Sequence, residues 1–325
     1  RDILKIPINE PNMQKMQEEI LKQKNVQKVL AEQYEDGWLG KELHGCDGVD
    51  SLINILLNCG VEPKNNHIQK AINALIVHDI AKQHKYWMAG GDALDADGRG
   101  GNKAITACII AIAKSNETIS PLSEEINFSF NHFVGALSFK SIDDFTIRGK
   151  NKIYYKPQVK FPDANHICIL KNTSSWRNDE NLKTVTCAFK NCYSLMKNFN
   201  EYIAFKKPKE FGSNFIGPFN FNWKALNHIE LSDLDLIINN NNRYLFSFWL
   251  RTLSQVPEWG IVSIQPYELL ADLLENDLLM DKLNDKTLSG IRRIWGVEQS
   301  WRNEINVKCD VIHTILKICY PVLAI

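Results

Sequence analysis

The chain has 325 residues, 44% apolar and 23% charged, an average globular composition large enough for one big domain or two ordinary ones. Its 38 basic and 38 acidic side chains cancel, which argues against a broad nucleic-acid footprint, and apolar runs such as 52–57 and 107–113 are too short to cross a membrane. Eight cysteines in so long a chain do not make a disulfide scaffold, and several (Cys59, Cys108, Cys319) lie in apolar helical patterns, as buried thiols of a cytoplasmic protein would.

The chain begins at Arg1 and not at a methionine, so a preceding segment is allowed for. Arg1-Asp2-Ile3-Leu4 leads into a polar helical pattern rather than an apolar core, so no secretory signal is expected there. Asp50 and Ser51 open an apolar segment with Leu52, Ile55, Leu56 and Cys59, and Gly60 is its expected stop. From Asn66 onward Ile68, Ala71, Ile72, Leu75, Ile76 and Ile80 recur at helical spacing, which makes one apolar stripe. A third helix is expected from about Lys103 to Lys114, with Ile105, Cys108, Ile109 and Ile112 on one side.

Residues 127–165 read as less regular, with a short hairpin or ordered loop around Thr146–Tyr155. Helical pattern returns at Glu180–Met196, and Phe205–Trp223 reads as a long aromatic loop punctuated by Gly and Pro. Further helices are expected at Tyr244–Leu253, Pro266–Leu283, Lys286–Trp295 and Val307–Ile318. No composition break forces two domains, so a single helical domain over 1–325 is expected, with strands minor.

Two loops carry the chemistry-bearing residues. Residues 90–101 crowd Asp92, Asp95, Asp97, Arg99 and five glycines between apolar helical patterns, where glycine marks a sharp turn or close backbone approach. Neighbouring acids such as Asp95 and Asp97 raise one another's proton affinity, so one of them suits general-acid work, while the structural reading is a turn whose carboxylates cap amides. A calcium loop fails, because Ala93 and Ala104 would stand at ligand positions. In the loop 38–50, His44, Cys46, Asp47 and Asp50 are competent ligand types, but their spacing fits no zinc pattern, so no metal is assigned. His44 and Asp47 are expected to line a cavity, with Asp50 capping the helix that follows.

Ser175-Trp176-Arg177-Asn178 recurs as Ser300-Trp301-Arg302-Asn303, each copy just before a helix. A Trp face with an Arg fork can clamp a planar or anionic ligand, and it can equally pack a hairpin end and pair with a carboxylate such as Glu180 or Glu298. Trp38, Trp87, Asp92, Arg99 and the two Trp-Arg pairs are therefore the candidate substrate contacts. Cys187, Cys192, His166 and His313 form no nucleophile motif in sequence, and no Gly-x-Ser-x-Gly elbow exists.

The stretch Gln33-Tyr34-Glu35-Asp36-Gly37-Trp38-Leu39-Gly40 resembles the loop repeat of the terpenoid-cyclase and protein-prenyltransferase toroids, in which Gln, Gly and Trp sit between paired helices stacked into an α/α barrel. The Phe161-Pro162 segment leading to Ile169-Leu170, the Trp176-Arg177 loop and Trp301-Arg302 resemble uncharacterised bacterial members of that superfamily, some labelled nitrogen-fixation proteins. The chain departs from the pattern in three ways. Gly37 and Trp38 are adjacent, Asp95-Ala96-Asp97-Gly98 lacks the last carboxylate of the cyclase Asp-x-Asp-Asp motif, and the prenyltransferase zinc ligands are not assignable. No Gly-x-x-x-x-Gly-Lys phosphate loop is present, so the nitrogenase iron-protein label does not apply.

The resemblance implies an all-α, α/α-toroid fold of helical hairpins with a minor irregular or β-hairpin insertion, and a central apolar, aromatic cavity. It implies an enzyme acting on an isoprenoid-like or other hydrophobic small molecule by acid catalysis, with Asp95, Asp97, His44 and Asp47 as catalytic candidates. Two readings stand beside it: a non-catalytic helical-repeat binding protein, and an α/α-barrel carbohydrate-active enzyme with two carboxylates across a cleft. Neither a cofactor nor an oligomeric state is readable, and whether the protein is an enzyme stays open at this level.

Overall fold

The computed structural model describes residues 10–45, 47–84, 91–96, 101–196, 199, 203–206, 215–216, 234–238, 245–255, 265–295 and 304–323. Helices dominate. In the first half they are α1 (Glu10–Lys22), α2 (Lys24–Leu30), α3 (Val49–Asn58), α4 (Asn66–Ile76), α5 (His78–Gln83), α6 (Gly91–Ala96), α7 (Asn102–Ile112) and α8 (Leu122–Ala136). Strands β1 (Thr146–Arg148) and β2 (Ile153–Tyr155) follow, then α9 (Ala164–Asn172), α10 (Asp179–Met196), β3 (Ile203–Lys206) and β4 (Phe215–Ile216). The last helices are α11 (Leu234–Ile238), α12 (Leu245–Gln255), α13 (Gln265–Glu275), α14 (Leu279–Lys282), α15 (Asp285–Trp295) and α16 (Glu304–Leu323). Among the described residues no helix is long and apolar enough to cross a membrane.

The chain divides into two compact units, one of residues 29–54 and 63–223, the other of 1–28, 55–62 and 224–325. In the second unit α12 packs on α15 and α16, and α13 on α16. Its core holds Trp249, Leu250, Leu253, Tyr267, Leu270, Val311 and Ile315, all essentially inaccessible. The Tyr267 hydroxyl donates to the Leu253 carbonyl at 3.0 Å, so its polar end is satisfied within that core.

The first unit is built around α7. The sequence reading gives this helix one apolar side, but the structure buries it on nearly every face, from Asn102 and Ala104 through Ala111. Alanines at 104, 107 and 111 let the neighbouring helices approach closely, and α4, α6, α8 and α9 all pack on it. The stretch 127–165, expected to be irregular, begins inside the 15-residue α8. That helix escapes a hydrophobic-period search because three of the seven residues of its buried stripe are polar: Leu122, Glu125, Ile126, Ser129, His132, Phe133 and Ala136.

The expected hairpin is present as β1 and β2, paired antiparallel with Thr146 opposite Tyr155. It belongs to a four-stranded sheet in the order β1-β2-β3-β4, where β2 and β3 run parallel and β3 and β4 antiparallel. Parallel neighbours need a long crossover, and α9 and α10 supply it. The reading of Phe205–Trp223 as loop is therefore corrected at Phe205, Lys206, Phe215 and Ile216; residues 207–214 and 217–223 lie outside the described ones. Phe145 anchors the sheet, stacked on Phe161 at 4.4 Å and against Phe139 at 5.2 Å.

Candidate active site

The Asp- and Gly-rich loop folds back on the start of α7. Gly101, which precedes α7, has no side chain to cap the helix, and the Asp95 carboxylate takes over that role. Its Oδ1 accepts from the Gly101 amide at 2.9 Å, and its Oδ2 from the Lys103 amide at 3.2 Å. Asp92 accepts from the Asn102 side-chain amide at 2.8 Å. The glycines are there for close approach: a Cβ on Gly101 would collide with the Gly91 carbonyl, and one on Gly91 with the Asn102 amide. Asp92 is exposed, whereas Asp95 is half-buried, and burial pushes its carboxyl above the usual range against the pull of the Lys103 and Gly101 amides.

Beside this turn lies a buried polar cluster carried by α8 and α9. Glu125, in the first turn of α8, is 8% exposed, and burial pushes its carboxyl up to about 7. His166 pulls that value down, while the negative charge of Asp95 and Asp163 raises it further, which places all four groups in one electrostatic neighbourhood. Ser129 and His132, one and two turns further along the same face of α8, are also buried.

Asp163 is the N-cap of α9, and its Oδ1 accepts from the amides of Asn165 and His166 at 2.9 and 3.2 Å. His166 returns the bond, because its Nδ1 accepts from the Asp163 backbone amide at 3.1 Å. While Nδ1 accepts it carries no hydrogen, so Nε2–H is then the donor of the ring; Nδ1 also lies 3.1 Å from Asp163 Oδ1. The rings of His132 and His166 stack at 4.0 Å. His132 has the opposite arrangement, with Nδ1 donating to the Phe128 carbonyl at 3.0 Å. The partly exposed Phe128 ring lies against both imidazoles, at 4.8 and 6.3 Å. Cys108 of α7 borders the cluster: its thiol donates to the Asn165 carbonyl at 3.4 Å, and burial pushes it well above the ordinary thiol range, which keeps it protonated and inert.

Of the candidate site residues named from the sequence, Asp95 is the one among the described residues whose charge acts on Glu125 of this cluster. His44 and Asp47 do not join it. His44 Nδ1 meets Asp50 Oδ2 at 2.6 Å, and that bond raises the imidazole above its ordinary value; Asp47 pairs with Lys41 at 2.9 Å on the surface. Asp50 binds the loop through His44 and the Gly45 amide, lying inside the first turn of α3 rather than ahead of it. Trp38 is fully buried and stacks on His84 at 4.8 Å, while His84 Nε2 meets Asp36 Oδ2 at 2.7 Å. Trp176 is buried with its Nε1 donating to the Leu170 carbonyl at 2.9 Å, and Arg177 donates to the carbonyls of Leu170, Lys171 and Thr173. This pair closes the C-terminal end of α9, where carbonyls lack helical partners. Trp87, Asp97, Arg99, Trp301, Arg302 and Cys46 lie outside the described residues.

Sequence reasoning passed over Glu125, Ser129, His132, Asp163 and His166. The signal was present in two forms: polar residues at helical spacing between Leu122 and Ala136, and an acid three residues before a histidine at the opening of α9. Among the described residues no group of three or more His, Cys, Asp or Glu side chains is arranged to hold a metal ion. No family model matches this chain, and neither a curated protein nor a solved structure does.

Proposed function

We propose that the protein is an α/α-toroid enzyme that transfers a proton to a hydrophobic, isoprenoid-like substrate, with Glu125 as the general acid and Asp95 as its electrostatic partner. One observation carries this reading: a buried carboxyl on the inner stripe of α8 is balanced near neutrality at about 7. A group with that balance is half protonated where the cell operates, the condition for efficient acid–base catalysis, and carboxyls are shifted so far mainly at functional sites. Asp95 raises the Glu125 proton affinity through its charge, so the acid found in sequence supports the acid found in structure. The loop at 33–38 supports the toroid: Gln33 Nε2 donates to the carbonyls of Gly37 (3.1 Å) and His67 (2.8 Å), which ties the Trp38 loop to the first turn of α4. The resemblance gives Gln, Gly and Trp a place between paired helices.

Incubation with squalene and with geranylgeraniol in deuterated water tests the proposal. Wild type is expected to place solvent deuterium on carbon, and Glu125→Gln to reduce that rate by about 10²–10⁴-fold, the usual contribution of a positioned acid. A wild-type protein that puts no deuterium into either compound overturns it. The non-catalytic binding reading draws on a different observation, that Asp92 and Asp95 are both engaged in organising the start of α7; it expects Glu125→Gln to leave ligand affinity and every other property of the bound compound unchanged.

A further inference from the structure

Three buried polar atoms of the α8–α9 cluster have no hydrogen-bond partner: Ser129 Oγ, Asp163 Oδ2 and His166 Nε2. Their residues are 0%, 3% and 0% exposed. Leaving such an atom unsatisfied is costly, and native proteins carry few of them. Three in one cluster, beside an acid held near neutrality, mark a place built to receive a group from outside.

The chemistry of that group follows from the atoms. His166 Nδ1 is committed to the Asp163 amide, so Nε2–H faces the cluster as a donor. Asp163 spends Oδ1 on the first turn of α9 and keeps Oδ2 as an acceptor. The Ser129 hydroxyl serves in either sense. Charge disfavours an anion: Asp95, Glu125 and Asp163 share this neighbourhood, and the groups that pull the Glu125 carboxyl down are His166 and Lys103. A phosphate or carboxylate would meet the Asp163 carboxylate directly and the charge of Asp95 beside it, with one imidazole and one exposed ammonium to offset them. Phe128, lying against both imidazoles and reaching the surface, gives an apolar approach.

We infer that Ser129, Asp163 and His166 form a subsite for an uncharged oxygen, a hydroxyl or carbonyl, of a ligand whose remainder is apolar. The inference rests on the proposed hydrophobic substrate for its apolar part and names the polar end. Discrimination against a charged head group follows from the same residues, so a prenyl diphosphate is excluded where a prenyl alcohol or aldehyde binds.

Binding measured without turnover tests this on the full chain. The probes are geraniol, farnesol and geranylgeraniol, their aldehydes and their diphosphates, titrated by calorimetry. Saturable binding of at least one alcohol or aldehyde is expected, at least tenfold tighter than that of its diphosphate. His166→Asn keeps an acceptor where Nδ1 caps Asp163 and removes the Nε2 donor; Ser129→Ala removes the hydroxyl. Each is expected to weaken the bound alcohol or aldehyde by about tenfold, close to the loss of one buried hydrogen bond. Thermal melts of both variants establish that they fold. Folded variants that bind as wild type does, a diphosphate that binds at least as tightly as its alcohol, or no binding of any alcohol or aldehyde overturns the subsite. Loss of deuterium transfer with the subsite intact counts against the acid alone, and loss of the subsite with transfer intact counts against the subsite alone.

Discussion

Glu125 occupies a position where an apolar residue would satisfy the helix pattern, and its cost to stability has a definite sign. Its folded value of about 7 lies above the ordinary 4.5, so between those pH values the folded chain binds more protons than the unfolded one. Stability therefore falls as pH rises through that window, by about 3 kcal/mol for a shift of this size, and is level below it where both states are protonated. Glu125→Gln removes this dependence: urea melts are expected to show the variant close to wild type at pH 4 and more stable at pH 8. His44 moves stability in the same direction with pH, through a bond made by the protonated ring rather than through the cost of a buried charge. Its bond to Asp50 raises the imidazole, so that contribution is present at pH below the ordinary value of 6.5 and fades as pH rises through the folded value. Asp50→Asn is expected to return the ring midpoint toward 6.5, followed by NMR of the histidine Cε1–H.

At the scale of elements, α9 is held at both ends by its own neighbours in sequence. Asp163 and His166 exchange hydrogen bonds at its start, and Trp176 and Arg177 gather its last carbonyls. The Arg177 guanidinium lies 5.5 Å from the Trp176 ring, so the same two residues that resemble a ligand clamp in sequence clamp a helix end. Arg177→Ala is expected to cost about 1–3 kcal/mol, the range for hydrogen bonds to a charged group, with faster hydrogen exchange across α9. An unchanged melt would remove the capping account. Gln33 ties the Gly37 loop to α4 in the same way, and Gly37 itself has φ +96 with the Lys70 carbonyl 2.7 Å from a would-be Cβ. Gly37→Ala is thus expected to destabilise by more than Gln33→Ala, by about 1–3 kcal/mol, because strain and collision add to the lost loop geometry.

Over the whole molecule, periodicity locates α3, α4, α7, α10, α12, α15 and α16 because their stripes are apolar, but it runs α4 on through Ile80, merges α13 and α14 into one helix and passes over α11. It missed α8 because Glu125, Ser129 and His132 occupy the inward face, and a polar inward face is what a site requires. The Asp-rich loop drew notice through glycines that crowd Gly91 against Gly101, and that crowding places Asp95 beside residues separated from it by 30 to 70 positions in sequence. Spacing within one segment cannot show such a juxtaposition; it arises only when α6, α8 and α9 pack around α7. His166, isolated in the sequence, becomes a neighbour of His132 and Glu125 by the same packing. One carboxyl decides whether this site can donate a proton. Titration of Glu125 by carbon NMR in protein labelled at the glutamate side-chain carboxyl, assigned with Glu125→Gln, is expected to give a midpoint near 7; a midpoint near 4.5 would contradict it, since the residue would then be fully ionised at neutral pH and unable to donate a proton.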